Sequence, residues 1–225
     1  MLAKLEQLSK VYFTSAGTFN TKENTSITLN KSEIIVITGE STDTKKAVLT
    51  LMGCLIHPTD GILEINGKKC ISSNLIDIAL VKLQSISFIF QKNNLLGHLN
   101  AEENVSFPLR IQKSEIREMK RKTMEALKKV NMFQYRKKMP GQLSLFQQQQ
   151  IVIAKALIIN PSIIICDNPT AYLEDKDGIE IMKLLKELAN EGKSIAILNH
   201  DKRFYGFIDR AFELKNEIVT ELTLF

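Results

Sequence analysis

The chain has 225 residues, of which 44% are apolar and 24% are charged, and its formal net charge is +5. These values predict a soluble globular protein with one large domain or two small ones. No apolar stretch approaches the roughly 18 residues that a membrane-spanning helix needs, so the sequence excludes such a helix. We also expect no signal peptide. Three cysteines lack the spacing of metal ligands and are expected to be reduced and structural: Cys54, Cys70 and Cys166.

The first third of the chain is predicted to be rich in β-structure. Apolar runs between turn residues predict strands over residues 5–13, 26–30, 33–39, 61–67 and 85–91. A helix is predicted over 45–56, because Pro58 follows it, and residues 93–160 are predicted to be largely helical.

The last third alternates strand and helix. Residues 162–167 and 194–201 are apolar runs that end in polar groups, and an amphipathic helix is predicted over 178–192 between them. This alternation predicts an α/β fold with a mostly parallel sheet. In such sheets ligands bind at the carboxyl ends of the strands, which is where the polar residues lie.

The stretch GESTDTKK, residues 39–46, joins a predicted strand to a predicted helix. A loop in that position can bind phosphate through backbone N–H groups, with glycines for close approach, a lysine for charge and a Ser or Thr for magnesium. Gly39 and Lys45 suit this role. Thr42 and Thr44 stand where glycines are wanted, and Lys46 stands where the hydroxyl is wanted. On its own, the stretch favours an ordinary strand-to-helix turn.

Three further segments follow the loop in order, residues 85–109, 140–178 and 194–201. With them, the chain resembles an ABC-type ATP-binding subunit over nearly its whole length. It is most similar to the group of lipoprotein-release, macrolide-export and FtsE-type ATPases. The specific likeness to that group is the pattern Q..NLL..L.A.ENV..PL, which begins at Gln91.

The resemblance implies an α/β fold of the P-loop NTPase type, with a mostly parallel sheet, an antiparallel β region near the N-terminus and an inserted helical subdomain. It implies a single nucleotide-binding domain over residues 1–225. The RecA-like core would occupy about 1–92 and 155–225, and the helical subdomain about 93–154.

The resemblance also implies nucleotide-binding roles for nine residues. Tyr12 matches the aromatic residue that stacks on adenine. The others lie in the phosphate loop and in the signature, where the family has LSGGQ and this chain has LSLFQ: Gly39, Ser41, Thr44, Lys45, Lys46, Ala47, Ser144 and Gln147.

Residues at or just after predicted strand ends match the family's catalytic positions. Asp167 matches the magnesium-binding aspartate, and Gln91 matches the glutamine that senses magnesium and the attacking water beside the membrane partner. Asn168 stands at the position of the catalytic glutamate, and His200 matches the histidine that contacts the γ-phosphate. Glu174 replaces an aspartate in the following loop. The alternative is structural, with Asp167 a buried carboxylate and His200 a residue that only packs.

Several departures from the family pattern weaken the expected chemistry. Asn168 cannot accept a proton, and loss of a positioned base typically costs about 10²–10⁴ in rate. Lys46 offers magnesium no hydroxyl and places an ammonium beside the expected ion. Thr42 and Thr44 would each cost on the order of 1 kcal/mol or more in a left-handed conformation. We therefore expect ATP to bind weakly or without magnesium, with Lys46 supplying charge, and magnesium to bind poorly.

The signature departs as well, because Leu145 and Phe146 replace both of its glycines. Phe146 is expected to obstruct the approach to the γ-phosphate of nucleotide on the opposite subunit. In the family, each site of a dimer combines the loop and acids of one chain with the signature of the other. Since this chain departs in both halves, neither a homodimer nor a heterodimer would contain a fully normal site.

A basic segment spans residues 110–138, where eleven Lys and Arg face three Glu, for a local charge of +8. The segment is predicted to be helical, with Ile116, Met119, Leu127 and Val130 near one face. It is typical of a solvated surface helix, or of a segment close to anionic lipid headgroups or nucleic acid. The lack of interleaved aromatic residues disfavours nucleic acid.

The leading hypothesis is an ATP-binding-cassette subunit with a degenerate site and little or no hydrolysis, acting as a scaffold for a membrane permease. Its expected partners are the permease and a second ABC subunit, identical or different, without nucleic acid. Its expected location is cytoplasmic, peripheral at the inner face of the cell membrane. One alternative is a slow but active ATPase that energises export or lipoprotein transport. Another, a soluble role with nucleic acid, is disfavoured because tandem-cassette proteins carry two cassettes. The motifs could also be inherited spacing in a domain that only packs.

Overall fold

The computed structural model describes residues 1–9, 12–14, 17–19, 26–39, 42–56, 60–70, 75–92, 94–198, 201–215 and 218–223. The strands in these ranges are β1 (Ala3–Ser9), β2 (Tyr12–Thr14), β3 (Gly17–Phe19), β4 (Ile27–Leu29), β5 (Ile34–Gly39), β6 (Asp60–Ile65), β7 (Lys68–Lys69), β8 (Ile86–Ile89), β9 (Ile163–Asp167), β10 (Ser194–Leu198), β11 (Arg210–Lys215) and β12 (Ile218–Leu222). The α-helices are α1 (Thr42–Met52), α2 (Leu75–Ser85), α3 (Ala101–Ile111), α4 (Ile116–Lys129), α5 (Leu145–Leu157) and α6 (Asp175–Asn190).

A six-stranded sheet in the order β12-β11-β5-β10-β9-β8 forms the centre of the fold. The strands from β11 to β8 pair in parallel, and β12 pairs antiparallel at one edge. The parallel strands are continuous apolar runs, as expected when other elements cover both faces of a sheet. Because β5, β10, β9 and β8 are neighbours and run in the same direction, their carboxyl ends lie along one edge.

Successive residues of the central strands face two different cores. Ile34 and Val36 belong to one core, which α3, α4, α5 and α6 complete. Ile35 and Ile37 belong to the other, which contains α1, α2 and strands of an antiparallel sheet. This division follows from the two-residue period of a β-strand.

The antiparallel sheet has the order β4-β1-β6-β7 and is built mainly from the first 70 residues. Helices α3, α4 and α5 all lie between β8 and β9 in the chain. This architecture agrees with the predicted α/β class, its antiparallel region and its inserted helices. The boundaries proposed for the helical subdomain stay a prediction, and α5 crosses residue 154.

Several element boundaries differ from the sequence-based expectations. Helix α1 begins at Thr42 rather than at Lys45, and it ends at Met52, four residues before Ile56. Helix α2 and strands β11 and β12 were not predicted. Among the described residues, no helix combines the length and apolarity needed to cross a bilayer. All three cysteines are buried.

Candidate functional site

The candidate site lies along the edge where the parallel strands end. Asp167, the last residue of β9, is the register partner of Leu198, the last residue of β10. Leu198 also pairs with Ile37 of β5, two residues before Gly39. Gln91 follows the end of β8 by two residues. The sheet thus brings together segments that lie more than 100 residues apart in the chain.

Gly39 is required by the sheet itself. Its φ is +150°, and a Cβ atom built there would lie 2.3 Å from the carbonyl oxygen of Leu214, its register partner on β11. Since only glycine avoids that contact, the residue has a structural role whether or not a phosphate lies nearby.

The threonines of the loop avoid the strain expected from the sequence. Thr42, Asp43 and Thr44 are already in α1, so Thr42 and Thr44 have right-handed backbone conformations rather than left-handed ones. The backbone cost anticipated for them is therefore absent. The early helix start also places Lys45 in the first turn of α1, where the N–H groups lack intrahelical acceptors.

Lys45, Lys46 and Asp167 form a group of three interacting charges. Lys45 is 7% exposed, and burial lowers the pKa of its ammonium, although the Asp167 carboxylate opposes that shift. Burial raises the pKa of Asp167, against the opposing charges of Lys46 and then Lys45. Two cations therefore converge on one carboxylate at a helix N-terminus, a combination that favours an anion.

These residues fit a magnesium ion poorly. Magnesium prefers oxygen ligands and usually takes one or two carboxylates together with phosphate and water oxygens. Asp167 offers one carboxylate, but the charged neighbours that the described part of the chain gives it, Lys45 and Lys46, are ammonium groups. Within the described part of the chain, no group of three or more His, Cys, Asp or Glu residues is arranged to hold a metal.

Asn168 is held by its backbone at the same edge. Its φ is +48°, a left-handed conformation that asparagine tolerates better than most residues. Its N–H donates to the carbonyl oxygen of Leu198 at 2.8 Å, and its own carbonyl accepts from the N–H of Ala171 at 3.0 Å. The side chain is a neutral amide and cannot act as a general base.

The side chains of Ser144 and Gln147 form a capping box at the start of α5. The hydroxyl of Ser144 accepts from the N–H of Gln147 at 3.2 Å, and the Gln147 side-chain oxygen accepts from the N–H of Ser144 at 3.0 Å. These bonds satisfy backbone donors at the helix end, which explains both residues without a ligand.

Phe146 is partly buried, and its expected obstruction of an opposite subunit's nucleotide stays a prediction. Its ring packs against the core that contains α5 and α6, and it lines a small pocket with Val130 and Ile181. Leu145 is instead 53% exposed at the helix start. Of the two residues that replace the signature glycines, Leu145 is therefore the more exposed, and Phe146 packs partly against the core.

Gln91 lines a cleft of about 370 Å³. The cleft joins the loop after β8, the start of α5 and the loop after β9, and its lining residues are Gln91, Lys92, Leu145, Gln148, Gln149, Ala171, Tyr172 and Leu173. Gln149 is 4% exposed, and its buried amide nitrogen has no hydrogen-bond partner among the residues that the structure describes. An unpaired buried donor carries an energetic cost, so Gln149 is a strained feature of the wall of this cleft.

A buried asparagine fixes the loop that follows Gln91. Asn104 is 0% exposed, and its side-chain oxygen accepts from the N–H of Leu96 at 2.7 Å. Its amide donates to the carbonyl oxygens of Leu96, Leu99 and Asn100 at 2.8–3.1 Å. The distinctive NLL..L.A.EN pattern therefore has a structural cause, since this asparagine holds the loop against α3.

Some predicted site residues cannot be placed fully. Ser41 and His200 lie outside the described residues. Tyr12 lies in β2 and Thr44 in α1, with only their backbone described. Ala47 is buried in α1 at 6% exposure.

Sequence reasoning missed Gln149 and Tyr172. Tyr172 is 69% exposed and has φ +64°, an unfavourable conformation for a bulky residue, and it lines the cleft beside Gln91. The run of four glutamines does not indicate which one is buried, because that depends on the rotation of α5 about its axis relative to the core. Gln150, by contrast, donates to the carbonyl oxygen of Val130 at 3.0 Å.

Solved structures share this fold. The dimeric ATP-binding cassette MJ0796, solved in a post-hydrolysis state with ADP and Pi, has a TM-score of 0.84 and 31% identity, with 100% of both chains covered. The cassette cbiO1 of Clostridium perfringens has a TM-score of 0.86 and 26% identity, covering 97% of this chain and 86% of cbiO1. The fold is that of ABC ATPase cassettes, as predicted.

Sequence comparisons agree. A family model described as ABC transporter matches residues 22–171. The lipoprotein-releasing system ATP-binding protein LolD of Buchnera aphidicola subsp. Schizaphis graminum is 35% identical over 210 residues, covering 93% of this chain and 92% of LolD. The chain belongs to the ABC transporter family, as an ATP-binding cassette similar to those of LolD and MacB, and the resemblance seen in the sequence is confirmed.

The relatives differ in length from this chain. The macrolide export ATP-binding/permease protein MacB of Mannheimia succiniciproducens is 30% identical over 221 residues, which is 98% of this chain and 34% of MacB. The chain therefore spans about a third of the MacB relatives and nearly all of LolD.

Proposed function

We propose that this chain is a cassette subunit that binds ATP weakly or without magnesium, hydrolyses it little, and serves as a scaffold for a membrane permease. The observation that carries the proposal is the group of Lys45, Lys46 and Asp167, followed directly by Asn168. The charges at this edge favour a phosphate chain, while the group that would activate water is replaced by an amide.

The charge balance supports binding without metal. Lys46 has the largest opposing effect on the raised pKa of Asp167, so its ammonium acts on the carboxylate that would otherwise hold magnesium. Two ammonium groups and the N-terminus of α1 offer a nucleotide positive charge without an ion. A magnesium ion beside the same carboxylate would meet repulsion from both lysines.

Poor hydrolysis follows from Asn168. A carboxylate at this position would accept a proton from the attacking water, and an amide cannot do so. The expected loss is about 10²–10⁴ in rate. Nucleotide would therefore act mainly as a ligand that stabilises one arrangement of the subunit.

The proposed partners are a permease and a second cassette subunit. MJ0796 is dimeric in its solved structure, and the name of MacB combines an ATP-binding part with a permease. By analogy, this chain would pair with a second cassette and lie at the inner face of the cell membrane, in the cytoplasm, against a permease. Nucleic acid is not an expected partner.

The deciding experiment is ATP binding by the purified chain, titrated with magnesium and again with a chelator. We expect measurable affinity in both conditions. In Lys46→Ser, affinity in chelator should fall and magnesium dependence should appear, because a hydroxyl replaces the ammonium. The control is Lys69→Ser, at an exposed position on β7, which should leave both titrations unchanged. Binding that strictly requires magnesium in the unmodified chain contradicts the metal-independent proposal.

A second candidate is a slow ATPase that energises export or lipoprotein transport. It is favoured by the 31% identity to MJ0796, whose solved structure holds ADP and Pi. Steady phosphate release by the purified chain, abolished in Lys45→Ala, would support it. Phosphate release at the level of the buffer blank supports the scaffold.

A further inference from the structure

The hairpin of α3 and α4 exposes two isoleucines at its tip. Ile111 ends α3 at 66% exposure, and Ile116 begins α4 at 77%. Among the described Ile and Leu residues these two are the most exposed, and the next, Leu145, reaches 53%. Two exposed side chains of this size, five residues apart at the two ends of one turn, call for an explanation more than isolated ones do.

The turn that joins the helices is closed by its own hydrogen bonds. The N–H of Lys113 donates to the carbonyl of Arg110 at 3.1 Å, and the N–H of Ser114 donates to that of Leu109 at 3.0 Å. Lys113 takes the left-handed position of this helix ending, with φ +53°. Because these bonds satisfy the last carbonyls of α3, the two isoleucines project from an ordered turn, and little ordering cost remains for a contact there.

Unpaired cations surround the tip. Arg110, Lys113, Arg117 and Lys120 are all exposed, and none of them forms an ion pair with a described residue. The remaining basic residues of the segment are mostly engaged, since Arg121 pairs with Glu125 at 2.8 Å, Lys122 with Glu118 at 2.9 Å, Lys137 with Glu102 at 2.9 Å, and Lys129 with Glu191. The free positive charge of the basic segment is thus concentrated beside the isoleucines.

We propose that this hairpin tip, formed by Ile111, Ile116 and the four unpaired cations, docks on an anionic lipid bilayer. The cations meet the negative headgroups, and the isoleucines enter the boundary between headgroups and acyl chains. Nucleic acid would use the cations but not the isoleucines. The segment has two aromatic residues. The ring of Phe133 is covered by Arg136 and Lys128, and Tyr135 packs against the core, so neither is a free base-stacking platform.

The inference extends the proposed function by naming a lipid contact for the subunit, but it does not depend on the nucleotide site. The hairpin residues are different from Lys45, Lys46 and Asp167. Vesicle binding should therefore be the same in Lys45→Ala as in the unmodified chain. A failed nucleotide experiment leaves this proposal standing, and a failed vesicle experiment leaves the nucleotide proposal standing.

The test is co-sedimentation of the full chain with vesicles of phosphatidylcholine, with and without phosphatidylglycerol. We expect binding to the mixed vesicles that weakens as salt rises. Replacing Arg110, Lys113, Arg117 and Lys120 by Gln should weaken binding about fivefold per removed cation, and on the order of 100-fold or more together. Ile111→Ser/Ile116→Ser should weaken it on the order of tenfold.

Matched controls separate the tip from net charge and from general apolarity. Four exposed lysines elsewhere serve as the charge control, each replaced by Gln: Lys31, Lys68, Lys69 and Lys176. Ile218→Ser, at a 51% exposed position on β12, is the apolar control. Both should retain most of the binding. Unfolding midpoints show that each variant is folded, and Arg117→Gln/Lys120→Gln is the milder variant should the fourfold change fail to fold.

Three outcomes would overturn the proposal. Equal binding to neutral and mixed vesicles would show that attraction between the cations and anionic headgroups does not contribute to binding. A charge control that loses as much as the tip variant shows that only net charge matters. An isoleucine variant that binds vesicles normally, while the cations are needed for a single-stranded oligonucleotide, points to nucleic acid instead.

Discussion

The backbone N–H of Asn168 donates a hydrogen bond to the carbonyl oxygen of Leu198 at 2.8 Å, which joins the residue after β9 to the end of β10. This bond holds position 168 at the edge of the sheet whatever its side chain is. Because the bond uses only backbone atoms, a substitution at position 168 is expected to change the chemistry of the side chain and to leave this bond in place.

Restoring a base should restore turnover only when the metal position is also restored. We expect Lys46→Ser/Asn168→Glu to release phosphate from ATP at least about 10²-fold faster than Lys46→Ser/Asn168→Gln. The two variants differ by one functional group and share the cost of a left-handed residue, on the order of 1 kcal/mol in the free energy of unfolding. Equal rates would mean that position 168 does not supply the base.

The affinity for ATP should decline at alkaline pH because of Lys45. Burial lowers the pKa of this ammonium below its ordinary 10.5, so the charge is lost earlier than in an exposed lysine as pH rises. A bound phosphate favours the charged form, so binding weakens as pH passes upward through the pKa of the free chain. Dissociation constants measured across alkaline pH test this. Lys45→Arg keeps its charge and should lack the decline; if it shows the same decline, another group is responsible.

Gly39→Ala should destabilise the fold even without nucleotide. The new Cβ would lie 2.3 Å from the carbonyl oxygen of Leu214, at φ +150°, and we expect a loss on the order of 3 kcal/mol in the free energy of unfolding. Denaturant titration measures it. Gly97→Ala is the control, since nothing lies within 4 Å of the place that its new methyl group would take, and it should change stability little. If Gly39→Ala leaves the free energy of unfolding unchanged, β5 and β11 can separate locally at little cost.

Ser144→Ala should cost about 1 kcal/mol in stability, because α5 loses the acceptor of its capping box. Ser114→Ala is a suitable comparison, since its hydroxyl makes no hydrogen bond with a described residue. Thermal unfolding of both variants, without nucleotide, distinguishes the roles. If Ser144→Ala melts like the unmodified chain but loses ATP affinity, the hydroxyl acts on ligand and not on the helix.

Two neighbouring glutamines should respond in opposite ways to the same substitution. Gln149→Met removes a buried amide that lacks a partner and should be neutral or stabilising by about 1 kcal/mol. Gln150→Met removes the bond to the carbonyl of Val130 and should destabilise by about 1 kcal/mol. Chemical denaturation compares them directly. A larger loss for Gln149→Met would indicate that its amide is satisfied by ordered water in the cleft.

Four of the six strands of the main sheet, β5, β8, β9 and β10, were predictable because they are apolar runs that end in polar residues, whereas β11 and β12 were not predicted. Helix α2 was not predictable, since Leu80 and Leu83 are 45% and 48% exposed while Ile78 and Val81 are buried. Its apolar residues therefore do not form a single stripe, which is the signal that sequence reasoning depends on.

The sequence predicted which residues belong to the candidate site where their spacing along the chain identifies them. It did not predict which side chains point inward, because that depends on how α5 packs. Lys45 and Asp167 were found from order and distance along the chain, and the structure brings them into one group of charges. The orientation of Phe146 and the burial of Gln149 depend on the rotation of α5, which its cap sets. A shift of one residue rotates a helical side chain by about 100°, so a motif alone could not decide which of these side chains points inward.

The capping box of Ser144 and Gln147 has a consequence for how this gene could change over time. Each side chain satisfies the other's backbone, so substitutions at either position carry a cost in folding stability. Selection for stability therefore favours both residues even in a lineage that had stopped consuming ATP. The Ser and Gln of the signature in such a chain therefore indicate how α5 is capped, and they say little about whether the protein hydrolyses ATP.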